Sequence, residues 1–125
     1  MTNPLTITGM LDNVDGTLDP NDQPVTVTGL TTIIASAMLN SGNSPTETIT
    51  LNGGLLITGA ALNSGPGRTI LGAGVTASSG FNVSSTIMGN LDLGGANRTF
   101  IVSAGTQVPD LIVLAQVSNG AISKD

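Results

Sequence analysis

Val25-Thr26-Val27-Thr28-Gly29 alternates an aliphatic residue with threonine and closes on glycine. The same figure stands at Leu5-Thr6-Ile7-Thr8-Gly9 and at Leu55-Leu56-Ile57-Thr58-Gly59, and without its glycine at Thr48-Ile49-Thr50-Leu51. Alternation of period two is the pattern of a β-strand with one buried face. Leu5, Ile7, Val25, Val27, Ile49, Leu51, Leu55 and Ile57 are therefore expected to point inward. The threonines are expected to line the outer face, where a β-branched side chain suits the pleat.

Working outward, similar segments occur at 68–71, 81–83, 91–93, 98–103 and 111–117. Clusters of Gly, Asn, Asp, Ser and Pro at 12–15, 19–23, 40–45, 52–54, 63–67 and 94–97 mark turns between them. Residues 31–39 alone have the length of a helix, and their β-branched start favours a strand. Leu39-Asn40-Ser41-Gly42 returns as Leu62-Asn63-Ser64-Gly65, and Arg68-Thr69-Ile70 is mirrored by Arg98-Thr99-Phe100. Gly9 and Gly29 are 20 residues apart; Gly29 and Gly59, like Arg68 and Arg98, are 30 apart. A loose period of 20 to 30 belongs to solenoid coils. One such coil buries too little apolar surface to offset the entropy of ordering its backbone, and stacking supplies the rest. The pattern thus predicts an all-β chain, a right-handed parallel β-solenoid (β-helix) of a few stacked coils, with residues 1–125 forming one segment. The alternative is an antiparallel β-sandwich, for which Asn52-Gly53 between two alternating runs is a hairpin signal.

Composition narrows the function. The 125 residues include no His, Cys, Trp or Tyr, and the aromatic residues are Phe81 and Phe100. Three basic residues against eight acidic give a net charge of −5. Arg68, Arg98 and Lys124 cannot build the basic face of a nucleic-acid binder, and no aromatic platform exists for stacking bases. No apolar run approaches the ~20 residues of a membrane span. Met1-Thr2-Asn3-Pro4 lacks the basic and apolar regions of a signal peptide. A disulfide scaffold is excluded by the absence of cysteine. Abundant Thr, Asn and Gly with few charges is a composition associated with secreted, repetitive surface proteins.

Two stretches resemble the autotransporter-associated β-strand repeats of giant bacterial surface proteins. Thr17-Leu18-Asp19-Pro20-Asn21-Asp22-Gln23-Pro24-Val25-Thr26-Val27 is similar to the family's T-L-D-x-N-G-x-x-[LV]-T-[LV] coil, with Asp22 in place of the usual Gly. Gly89-Asn90-Leu91-Asp92-Leu93-Gly94-Gly95-Ala96-Asn97-Arg98-Thr99-Phe100-Ile101-Val102 resembles its G-x-L-x-L-G-G-x-x-R-T-F-x-V segment. Gly120-Ala121-Ile122-Ser123-Lys124 is similar to the opening of a further repeat. The resemblance implies a passenger-type parallel β-helix, extracellular or on the bacterial cell surface, internal to a longer repetitive chain. It implies a role in presenting, spacing or exporting other domains, and carries no catalytic residues.

Without His or Cys, the Ser-His-Asp and Cys-His arrangements and the usual zinc sites cannot be built. Gly65-Pro66-Gly67 and Gly72-Ala73-Gly74 lack the spacing and the Lys of a phosphate loop. Polysaccharide-cleaving β-helices cluster acids on one face, which singles out Asp92 and Asp110, 18 positions apart. Placement on turns or wet faces is the favoured reading of both. Asp12, Asp15, Asp19 and Asp22, interleaved with Asn13 and Asn21, form an oxygen-rich stretch of the kind that holds Ca²⁺. Asp and Asn are equally the residues of turns, and turn chemistry is the reading preferred, so chelation is expected to leave the fold intact. Asn82-Val83-Ser84 and Asn97-Arg98-Thr99 match the glycosylation pattern, as expected by chance in such a composition. The expectation is a non-enzymatic structural segment without a cofactor. Its partners are flanking repeats or identical chains meeting through uncapped ends, not nucleic acid or membrane. A carbohydrate- or protein-binding adhesin module is the alternative, and a fragment of a polysaccharide-degrading β-helix comes third.

Overall fold

Alternation and turn clusters resolve into coils in the structure, a computed structural model that describes residues 4–40 and 43–125. The first coil comprises β1 (Leu5–Ile7), β2 (Leu11–Asn13) and β3 (Thr17–Leu18). The second holds β4 (Val25–Val27), β5 (Thr31–Ile34) and β6 (Met38–Asn40), and the third β7 (Thr48–Leu51), β8 (Leu55–Thr58) and β9 (Ala61–Asn63). The fourth runs through β10 (Arg68–Leu71), β11 (Val75–Ser78) and β12 (Ser85–Met88). In the fifth, β13 (Asn90–Ser103) serves two faces in one continuous strand, followed by β14 (Leu111–Val113); β15 (Gln116–Lys124) then lies on β13. Among the described residues there is no helix.

Strands pair with the coil above and the coil below. One face stacks β1, β4, β7, β10, β13 and β15, the second β2, β5, β8, β11 and β13, and the third β3, β6, β9, β12 and β14. Every ladder is parallel, as in Leu5↔Val25, Val25↔Ile49 and Ile49↔Thr69. The chain is therefore a parallel β-solenoid of about five turns, and the antiparallel sandwich is excluded. Asn52-Gly53 closes no hairpin: β7 and β8, on either side of it, bond to different partners. The turn redirects the chain from one face to the next.

The coil period is tighter than the 20 to 30 read from the motifs. It runs from 20 residues between Leu5 and Val25 to 26 between Leu91 and Val117. The 20-residue step is a stacking contact, with the Gly29 amide donating to the Gly9 carbonyl at 3.0 Å. The 30-residue steps are not, because Arg68 pairs with Thr48 whereas Arg98 pairs with Ile122. The Leu-Asn half of the 39–42 repeat holds, since Leu39↔Leu62 and Asn40↔Asn63 are in register; Ser41 and Gly42 lie outside the described residues. Residues 31–39 form β5 and the start of β6, joined by Ala35 and Ser36 with φ of 59° and 66°. Residues 81–83 are not a strand; Phe81 is exposed at a turn bridged between Gly80 and Val83.

Burial follows the alternation in the inner coils. Val25, Val27, Ile49, Leu51, Leu55 and Ile57 are all core residues, stacked with Leu62, Leu71, Leu91 and Leu93. Ile7 is partly buried and Leu5 is 50 % exposed, because among the described residues the first coil has a neighbour on one side only. Thr31 and Thr69 reverse the expected polarity: they occupy inward positions, in register with Leu55 and with Ile49. Their buried hydroxyls have no hydrogen-bond partner among the described residues.

The corner within β13 explains the L-G-G-x-x-R spacing physically. Gly94 takes φ 70°, and a Cβ there would stand 2.7 Å from the Leu71 carbonyl oxygen and 2.9 Å from an Arg98 nitrogen. The Arg98 guanidinium uses that space to donate to the carbonyls of Leu93 (2.8 Å) and Gly72 (3.0 Å). It thereby ties the bend to the coil beneath.

Two substitutions test the alternation. Val27→Asp places an unpaired charge in the core and is expected to cost about 3–5 kcal/mol, whereas outward Thr26→Asp costs about 1 kcal/mol or less. Equal melting temperatures for the two would refute the inward assignment. Thr69→Val removes an unsatisfied hydroxyl between Ile49 and Leu91, and should raise stability by about 1 kcal/mol in denaturant titration.

Candidate functional site

The four aspartates singled out in the sequence separate in the fold. Asp12 lies outward on β2 beside Thr32, and Asp15 is exposed in the next turn. Asp19 and Asp22 share the turn between β3 and β4. Asp19 accepts the Asn21 amide at 2.7 Å, the local bond expected of a turn aspartate. Asn21 and Asp22 both sit in the left-handed region, at φ 55° and 61°. That conformation is accessible to Asn and Asp as well as to glycine, so Asp fits where the resemblance implies Gly. Asp22 also reaches the next coil, accepting the amides of Asn43 (2.8 Å) and Ser44 (3.2 Å).

A residue absent from the sequence reading completes this corner. Glu47 continues the inward alternation of β7 by one step, with Glu47, Ile49 and Leu51 all buried. Glu47 is 2 % exposed, and among the described residues neither carboxyl oxygen receives a hydrogen bond. Burial, followed by the negative charges of Asp22 and Asp19 and by direct contact with the Asp22 carboxyl, pushes Glu47 up to about 7. Among the described residues no three acidic side chains gather as a ready metal-binding group. Glu47 was hard to find because it precedes an unremarkable strand, 25 positions beyond Asp22.

Asp92 and Asp110 are held by separate partners. Asp92 accepts the Gly94 amide (2.8 Å) and the Asn119 side-chain amide (3.0 Å), and pairs with Arg68 at 3.4 Å. Asp110 accepts from the Ser79 hydroxyl (2.7 Å) and the Gly105 amide (2.6 Å). These donors hold both carboxyls below the usual carboxylate range, led by Gly94 for Asp92 and by Ser79 for Asp110. Neither is poised to donate a proton near neutrality, as one member of a glycosidase pair must. Of the two glycosylation motifs, Asn82 and Asn97 are exposed.

The described residues also form concavities. A polar groove of about 310 Å³ runs past Arg68, Asn90, Gln116 and Ser118. Arg68 is committed to Asp92, and the Asn90 amide donates to the Gly67 carbonyl at 2.7 Å. An apolar cavity of about 550 Å³ opens at the last coil between Phe100, Val102, Leu111, Val113 and Ile122.

The raised Glu47 has a signed consequence. A carboxyl that binds its proton more tightly when folded stabilises the fold fully below its unfolded value near 4.5, and this contribution is lost as pH rises through about 7. Asp92 and Asp110, shifted the other way, stay ionised over that range. In chelated buffer the melting temperature should fall between pH 5 and pH 8, and Glu47→Gln should flatten the fall. An unchanged slope in the variant would remove Glu47 as its source. Compared with known proteins, the chain matches no family model, no curated protein and no solved structure.

Proposed function

We propose that this solenoid is a non-catalytic structural segment, a spacer, stalk or passenger repeat, of an extracellular bacterial surface protein or fibre. The observation that carries the reading is the column-like regularity of the stack. Outward threonines repeat from coil to coil, as in Thr6, Thr26 and Thr50, over a continuous aliphatic core. Such a stack supplies length and stiffness without needing a reaction centre. Its composition and the resemblance to autotransporter repeats support the surface setting.

The ends support assembly with further coils, of the same chain or of identical ones. Half-exposed Leu5 lies at one end and the apolar cavity at the other. Among the described residues β1 and β15 are each paired on one side only, and their other edges offer backbone groups to a neighbour. A net charge of −5 opposes contact between copies, so salt should promote it by screening. The groove beside Arg68 favours a second reading, a carbohydrate-binding adhesin module; the lack of Tyr and Trp for stacking on sugars weighs against it.

Sedimentation and electron microscopy across concentration and salt test the first reading, with head-to-tail assemblies expected to lengthen as both rise. A strictly monomeric species at high concentration and high salt would defeat self-stacking. A glycan array is expected to be blank; selective binding abolished by Arg68→Ala would put the adhesin reading in its place.

A further inference from the structure

We infer that the corner between the first and second coils is a cation site, in which Glu47 and Asp22 together hold a hard divalent ion of the Ca²⁺ type. The acidic stretch alone does not carry this, since Asp19 and Asp22 also do the work of turn residues. Glu47 carries it. Glu47 is 2 % exposed, neither of its carboxyl oxygens has a donor among the described residues, and its carboxyl faces that of Asp22. A buried carboxylate without a donor is costly, and a second carboxylate against it adds repulsion to desolvation. Two facing acceptors are reconciled by a positive species between them, either a cation or a shared proton.

The surroundings favour the cation. Among the described residues the charged groups acting on Glu47 are Asp22 and Asp19, both negative. Arg68, whose amide donates to the Glu47 carbonyl at 3.0 Å, sends its guanidinium away to Asp92. The donor atoms that the facing carboxylates supply are oxygens, which selects Ca²⁺ or Mg²⁺ over softer metals. Asp22 is already fixed across the coils by the Asn43 and Ser44 amides on Oδ1. An ion bound by Asp22 of the first turn and Glu47 of the next would staple two coils together. With two carboxylates in the set, affinity is expected in the weak range, on the order of 10⁻⁴ M, as in extracellular calcium modules.

The test is calorimetric titration of the full chain with CaCl₂ at pH 7.5, beside melting curves in EDTA and in about 10 mM Ca²⁺. The wild type should bind one ion per chain, and its melting temperature should rise by about 5–10 °C. Glu47→Gln and Asp22→Asn should each weaken binding at least tenfold and lose about half of that rise or more. Glu47→Gln should melt no lower than the wild type in EDTA, showing that the fold survives. No heat of binding and no change in melting temperature for the wild type would overturn the proposal. Melting that rises on acidification and is indifferent to Ca²⁺ would overturn it too, leaving a proton between the carboxyls. A calcium response undiminished in both variants would place the ion elsewhere and equally refute it.

Discussion

Each strand of the solenoid directs its backbone N–H and C=O groups to the coils above and below, not to the strand that follows it in the chain. Parallel pairing of this kind places like beside like. Val25 lies between Leu5 and Ile49, and Thr26 between Thr6 and Thr50. The hydrogen-bond ladder and the core thus depend on the same register, and a slip of one residue would turn an aliphatic column outward. Close backbone approach is part of the constraint. A Cβ at Gly29 would meet the Gly9 carbonyl oxygen at 2.6 Å, and one at Gly53 would collide with Gly29, so this corner of three successive coils is closed by glycine.

The register also explains where polar groups are trapped. A column admits whatever residue the coil supplies at that step, and Thr31, Thr69 and Glu47 are supplied at inward steps. Ser85, likewise inward, finds partners: it donates to the Ser78 carbonyl at 2.6 Å and accepts the Gly59 amide at 2.9 Å. The two threonines leave a hydroxyl unpaired among aliphatics. Glu47 differs in kind, because its neighbour is another acid and both belong to turns that join successive coils. That pairing makes the first corner the chemically distinctive part of an otherwise uniform column.

Much of the architecture was legible in the residues. The threonine alternation located β1, β4, β7 and β8 and the direction in which their side chains point, and the Leu-Asn pairs at 39–40 and 62–63 located a true stacking step. The 30-residue coincidences misled because Arg68 and Arg98 look alike in sequence but serve different faces. Arg68 begins β10, whereas Arg98 follows the bend inside β13. Residues 94–97 looked like a turn and proved to be strand, since Gly94 and Gly95 let the chain round the corner without breaking its ladder with β15 beyond a local shift. The acidic corner was half legible: Asp19 and Asp22 were in view, but pairing with Glu47 exists only once the second coil lies on the first. No local pattern announces such a contact.

Coil lengths of 20 to 26 residues coexist with parallel register on all three faces, shifted only at the Asp92–Ala96 corner among the described residues. The difference of six residues is therefore absorbed at the corners, where the chain leaves one strand and enters the next. Lengthening a loop whose ends are already fixed adds little entropic cost, about 0.6 kcal/mol per doubling. The corners are thus free to vary while the walls are not. A molecule built this way can present foreign loops at fixed heights along its axis, and its evolution or engineering has a place to add new peptide epitopes without refolding the column that carries them.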